Sequence, residues 1–365
     1  MVKSRSAPDI LLILCTLLLL LIGIVMVYSA SAANAFYDYG DRFFYLKKQL
    51  IFAVLGLIAM YVMMKIDYWT WKKYANIILI GCFALLVIVL IPGIGDVRGG
   101  ARSWLGIGSF GVQPSEFMKL GIVIFLAKML SEKQESITYF FKGLMPPLLI
   151  VGVAFALIML QPDLGTGAVL VGAALIVIFT AGMRLKHLFG FAAVGLVGLT
   201  ALIIAAPYRL KRITAFLDPW ADPLGAGYQS IQSLYAIGPG QLLGLGIGMS
   251  RQKHSYVPEP QTDFIFSILA EELGFLGGSF VLLLFLLLIW RGLRAAITAP
   301  DAFGSFLATG IISIIAVQVV INISVVIGLM PVTGITLPFI SAGGSSLTVL
   351  LTAVGILINV TRYSK

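Results

Sequence analysis

Charge is what this 365-residue sequence has least of: Asp, Glu, Lys and Arg make up 11% of it, against about a quarter in an ordinary soluble domain. With 59% apolar residues and a mean hydropathy of +1.02, a water-soluble globule is excluded, because no soluble core absorbs that much apolar surface. Cysteine is nearly absent. Cys15 and Cys82 both sit inside apolar runs, where they read as small hydrophobes and not as a disulfide or metal pair. Basic clusters are missing too. The formal charge of +9 is scattered in ones and twos between apolar runs, which argues against a nucleic-acid partner and for membrane orientation. No low-complexity tract or fixed-period repeat occurs, and the glycines at 238, 240, 244, 246 and 248 match no phosphate-loop fingerprint.

Long apolar runs are what the chain does have. Ten of them, at about 10–30, 49–64, 75–91, 115–130, 144–160, 165–181, 188–206, 264–290, 303–330 and 343–360, approach or exceed the ~20 residues that carry a helix across a bilayer. The expected fold class is all-α, a polytopic membrane protein with a single transmembrane domain over residues 1–365. The first run is too long for a signal-peptide core and is read as a retained span. The two longest runs either tilt or break at a glycine such as Gly274 or Gly328. Cations in short loops separate cleanly. One side collects Lys3, Arg5, Lys65, Lys72, Lys73, Lys128, Lys133, Lys142, Arg184, Lys186, Arg291, Arg294, Arg362 and Lys365, the other only Arg42, Lys47, Lys48, Arg98 and Arg102. Both termini are therefore expected in the cytoplasm, with a large extracellular loop at about 207–263 and shorter outer segments at 92–114, 161–164 and 331–342.

Ionisable groups within or beside spans cost about 2.5–3.5 kcal/mol each on insertion scales, so each is a functional candidate. Glu116 and Lys119 lie three apart at the start of the fourth span, on one helix face. They form either a structural ion pair or a pair in which Glu116 holds Lys119 toward an anionic ligand. Asp163, in Gln161-Pro162-Asp163-Leu164-Gly165-Thr166, is either the N-cap of the next helix or a site residue. Asp263 opens the eighth span after Pro258-Glu259-Pro260-Gln261-Thr262, where a helix dipole favours its ionised form and partial desolvation opposes it. Glu271 follows two turns later, below Asp263 if the helix is continuous, and of Glu271 and Glu272 one must point elsewhere.

The outer segments add to this set. Residues 207–253 mix Arg209, Lys211, Arg212, Arg251 and Lys253 with Tyr208, Trp220, Tyr228 and Tyr235. That surface suits an anionic headgroup bearing sugars, although interfacial aromatics and cations are common in membrane proteins. Residues 331–346 carry no charge. Their Pro and Gly spacing argues for an irregular segment packed within protein, since bare backbone cannot face lipid.

Five motifs go further: Gly100-Ala101-Arg102-Ser103-Trp104, Gln113-Pro114-Ser115-Glu116-Phe117-Met118-Lys119-Leu120, Gln161-Pro162-Asp163-Leu164-Gly165-Thr166, Thr262-Asp263-Phe264-Ile265-Phe266 with Glu271-Glu272-Leu273-Gly274, and the stretch 331–346. Together they resemble the SEDS family (shape, elongation, division, sporulation) over nearly the whole chain. The stretches 212–223 and 250–253 resemble its FtsW and SpoVE branch, and 67–71 and 130–134 its sporulation side. One departure is Ala342, where the family usually has Tyr.

The resemblance implies a peptidoglycan glycosyltransferase that polymerises lipid II at the outer face of the cell membrane, in division or spore cortex synthesis, beside a class B penicillin-binding protein. Its substrates would be lipid II and undecaprenyl-linked glycan. By the same resemblance Asp263 is the catalytic base, and Arg102, Trp104, Glu116, Lys119, Asp163, Arg212 and Glu271 bind or position substrate. A divalent cation, Mg²⁺ or Mn²⁺, held jointly with the pyrophosphate is a further candidate, since no residue cluster has the spacing of a built-in metal site. No organic cofactor is expected. Two rival readings are a lipid II flippase and a scaffold that only recruits the penicillin-binding protein.

Overall fold

The computed structural model describes residues 6–98, 100–107, 110–204, 206–254 and 256–363. Lys3, Arg5 and Lys365, three of the cations used for orientation, lie outside them. Each of the ten expected runs is a helix. The first three are α1 (Ile10–Tyr39), α2 (Phe44–Lys65) and α3 (Trp69–Leu90). A small antiparallel sheet follows, β1 (Asp96–Arg98), β2 (Ala101–Ile107) and β3 (Phe110–Val112), in the order β1-β2-β3. Then come α4 (Pro114–Glu132), α5 (Met145–Met159), α6 (Leu164–Thr180) and α7 (Leu185–Ile204).

The segment expected as one large loop holds two further helices, α8 (Pro207–Leu217) and α9 (Tyr228–Gly240). The chain closes with α10 (Ile265–Thr298), α11 (Ala302–Val326) and α12 (Gly344–Thr361).

Among the described residues, eight helices are long and apolar enough to cross a membrane, α5 being counted together with the π-helical turn Phe140–Leu144 that leads into it. The other two expected spans differ for a physical reason. Helix α6 is apolar but has 17 residues, and α4 carries Glu116, Lys119, Lys128 and Glu132. Both are shielded by neighbours: α11 packs against α4, α6 and α10, and α12 packs against α2. Helix α7 is the outlier. It has no buried residue among those described, and it touches the rest through α8 and the stacked rings of Phe140 and Phe191.

Helix ends follow sequence punctuation. Asp9, Asp163 and Asp301 cap α1, α6 and α11 through their carboxylates, as short acceptors do at a helix start. Helix α1 outruns its expected end because no breaker occurs before Gly40, which closes it at φ +69°. Helix α10 breaks at Gly274 (φ +67°), one of the two glycines expected to do so, and Gly328 (φ +75°) follows the end of α11. The break in α10 is filled by the chain after α9. Phe275 and Leu276 donate to the carbonyls of Gln241 and Leu242, while Leu245 and Gly246 donate to those of Glu271 and Glu272.

The uncharged 331–342 segment is irregular and turned inward, as expected. Ile335, Leu337, Phe339 and Ile340 are buried, and α1 lets the backbone in at Gly23, where a Cβ would stand 2.3 Å from the Phe339 carbonyl oxygen.

Candidate active site

Four connecting segments meet at one end of the bundle. Gln113, before α4, donates its backbone N–H to Ser345 Oγ (3.2 Å) and its side-chain Nε2 to Asp163 Oδ2 (3.0 Å). The inward segment binds the turn before α10: Ala342 N–H donates to the Gln261 carbonyl (2.8 Å) and Ser341 Oγ to the Thr262 carbonyl (2.6 Å). From α11, the buried Asn322 donates Nδ2 to the carbonyls of Asp263 (2.8 Å) and Ile335 (2.7 Å). Three consecutive carbonyls, those of Gln261, Thr262 and Asp263, are thus each held by a different group. The Asp263 backbone has little freedom left.

Asp263 stands two residues before α10 begins, on that turn and not inside the helix. Its side chain is half-buried, and Oδ1 accepts from the Thr262 hydroxyl at 2.8 Å. Burial pushes its carboxyl above the usual carboxylate range, while the Thr262 hydroxyl and the Arg212 guanidinium pull it back. A desolvated yet accessible carboxylate with a nearby cation is suited to take a proton from a bound hydroxyl.

Glu116 and Lys119 form an ion pair, Nζ to Oε1 2.8 Å, with relative exposures of 4% and 2%. This contact belongs to both readings of the motif, the structural pair and the pair that holds Lys119 toward an anionic ligand. Glu116 Oε2 is buried without a hydrogen bond among the described residues. Asp163 is the N-cap of α6, accepting from Thr166 N–H at 3.0 Å, and also meets Gln113. Burial raises its pKa first of all; Thr166 lowers it, Glu116 raises it and Lys119 lowers it. These three residues therefore share one neighbourhood.

The remaining expected residues are placed less uniformly. Arg212 reaches from α8 to donate Nη1 to the Val332 carbonyl (3.0 Å) and lines, with Tyr208, Lys211, Gln229 and Ser230, a cavity of about 210 Å³ between α8 and α9. Arg102 and Trp104 lie on β2, opposite Val97 and Asp96, in a strand packed on α3 and α4.

Glu271 departs from expectation. It is fully buried and turned to the chain after α9, accepting from Ser250 Oγ (2.5 Å) and from the N–H of Arg251 (2.9 Å). Asp263 lies outside the helix that was to align the two, and both adjacent glutamates, not one, turn to that chain. Glu272 pairs with the buried Lys253 (2.9 Å) and accepts from Ser29 of α1 (2.7 Å). Sequence reasoning missed this network and missed Asn322, Ser341 and Gln113. A search restricted to ionisable groups overlooks an amide such as Asn322 in an apolar span, although a buried amide must also find partners.

Known proteins resemble this chain over nearly its whole length. The chain is 60% identical to stage V sporulation protein E of Bacillus subtilis (strain 168), over 100% of both chains. It is 43% identical to a probable peptidoglycan glycosyltransferase FtsW of Geobacter sp. (strain M18), covering 97% of this chain and 96% of that one. A solved chain, described under the structural coordination of polymerization and crosslinking by a peptidoglycan synthase complex, matches with a TM-score of 0.80 and 32% identity over 98% of each chain. The profile of the cell cycle protein family of FtsW, RodA and SpoVE matches residues 9–365, and the chain belongs to that family.

Proposed function

We propose that this protein is an inverting peptidoglycan glycosyltransferase that polymerises lipid II, with Asp263 as its base. The 4-hydroxyl of an acceptor GlcNAc attacks C1 of the donor MurNAc. The O4–C1 bond forms as the bond from C1 to the diphosphate oxygen breaks, the hydroxyl proton passes to Asp263, and undecaprenyl diphosphate leaves with the electron pair. Inversion needs a single carboxylate on the acceptor side, because a diphosphate leaves without the general acid that glycoside hydrolases use. Positive charge takes the place of that acid. Arg212 is the cation whose charge reaches Asp263, and Arg102 and Trp104 would contact substrate from the β2 strand. The buried Glu116–Lys119 pair and Asp163, which meets Gln113, would position the site from the start of α4 and α6, and Glu271 acts through the chain it holds. The observation that carries this reading is the half-buried Asp263 carboxylate on a turn whose three carbonyls are all tied down.

A divalent cation, Mg²⁺ or Mn²⁺, fits only as an ion shared with substrate. No three His, Cys, Asp or Glu side chains converge among the described residues, and Asp263 offers one carboxylate. Such an ion would neutralise the leaving diphosphate. The Asp263 end faces the outside of the cell membrane and both termini the cytoplasm, by the distribution of loop cations. A class B penicillin-binding protein is the working partner, by the family relationship and the match to a synthase complex.

The test uses purified protein with its partner and labelled lipid II, comparing the parent with Asp263→Asn. Glycan chains from the parent alone are expected. Lipid translocation in liposomes without polymer would mean a flippase, and neither activity from the parent would leave a scaffold.

A further inference from the structure

We propose that the end of the molecule opposite Asp263 holds a site for the headgroup of an anionic phospholipid. A cavity of about 410 Å³ lies there between the start of α1, the last turns of α10 and the end of α12, walled by Pro8, Asp9, Arg291, Arg294, Thr298 and Thr361. Asp9 fixes its shape. Its Oδ1 accepts from Leu12 N–H to cap α1, its Oδ2 accepts Nε (2.8 Å) and Nη2 of Arg291, and its own N–H donates to Thr361 Oγ1 (3.3 Å).

The charge left over is positive. Among the described residues Asp9 is the only acid in the wall, and it balances Arg291. Arg294, one turn further along α10, has no ion pair among the described residues and is exposed. Arg291 also keeps Nη1 without a hydrogen bond among them. Two guanidinium groups around one cavity match the oxygens of a phosphodiester. A zwitterionic headgroup would need an acid for its ammonium group, and Asp9 is already engaged.

The position of the cavity selects a lipid over a soluble anion. Helix α10 carries no charge from Phe275 to Trp290, and Arg291 follows at once with its guanidinium 5.5 Å from the Trp290 ring centroid. Helix α1 carries none from Ile10 to Tyr37. Both helices therefore pass from apolar to polar at the level of the cavity, where headgroups meet hydrocarbon. Beneath it Leu11, Leu14 and Leu18 of α1 and Leu286 and Trp290 of α10 are exposed, which provides an apolar track for acyl chains below a cationic pocket.

The experiment reconstitutes the full-length protein into nanodiscs of phosphatidylglycerol and phosphatidylcholine in equal amounts, releases it, and weighs it by native mass spectrometry. The parent is expected to retain phosphatidylglycerol over phosphatidylcholine. Arg294→Gln leaves the Asp9–Arg291 pair in place and is expected to weaken that preference about fivefold, whereas Arg294→Lys keeps part of it. Dihexanoyl phosphatidylglycerol is expected to raise the unfolding temperature of the parent but not of Arg294→Gln. Equal retention of both lipids by the parent, or parent-like selectivity in Arg294→Gln, overturns the proposal. Equal stabilisation by inorganic phosphate would show a free-anion site and overturns it as well.

Discussion

At the scale of single residues, the chemistry rests on how two opposing effects act on Asp263. Burial holds its carboxyl above the ordinary range, and the Thr262 hydroxyl and Arg212 lower it. A base works only when ionised, so polymerisation is expected to rise as pH climbs through that raised pKa. Arg212→Gln removes a stabiliser of the ionised form, and its acidic limb should lie at higher pH than the parent's in a pH–rate profile with lipid II. Folding stability runs the other way. The folded carboxyl binds its proton more tightly than the unfolded one, so stability falls as pH rises between the two pKa values, and Asp263→Asn should abolish that part of the dependence. The same variant should lose about 10²–10⁴-fold in rate with a parent-like unfolding temperature at low pH. Lys119→Ala is predicted to behave differently. It strands the buried Glu116 carboxylate at a cost of about 3–5 kcal/mol, visible as a lower unfolding temperature and yield. Adding Glu116→Gln should restore part of the loss if the pair is structural, and no recovery would point to a direct role for Lys119 in binding.

At the scale of elements, α10 is the one whose irregularity matters. Gly274 takes φ +67°, and a Cβ there would meet Gly244 N at 2.3 Å and the Leu242 carbonyl oxygen at 2.6 Å. Gly274→Ala should therefore cost at least the ~1–3 kcal/mol of a strained backbone and detach the 241–246 chain from the helix. Thermal unfolding together with limited proteolysis of that chain would measure both effects. The inward 331–342 segment is joined to Asp263 chiefly through Asn322 and Ser341. Asn322→Leu leaves the carbonyls of Ile335, buried, and Asp263, part-buried, without their donor, at about 1–3 kcal/mol for the buried one, and should lower kcat more than it raises KM, since the catalytic turn shifts while Arg212 remains.

At the scale of the whole molecule, orientation has a direct readout. Cys15 and Cys82 are buried, so a single cysteine introduced elsewhere reports its own side of the membrane. Gln229→Cys, in the cavity beside Arg212, should react with an impermeant maleimide on intact cells, and Thr298→Cys, at the other end of α10, only after the cells are opened. The reverse pattern would invert the topology and remove the outward site. Helix α7, without a buried residue among those described, contributes little to the core.

Much of this was legible in the sequence because it depends on local quantities. Run length and apolarity gave the ten long helical runs; Asp163 and Gly274 marked a helix start and a break; and spacing of three put Glu116 beside Lys119. The tertiary structure alone decided which polar groups face one another. That Glu271 and Glu272 both turn to the chain after α9, and that an amide on α11 holds Asp263 from 59 positions away, follow from one requirement. Inside an apolar bundle a buried donor or acceptor is stabilised by finding a partner, and distance along the chain does not say which partner that is.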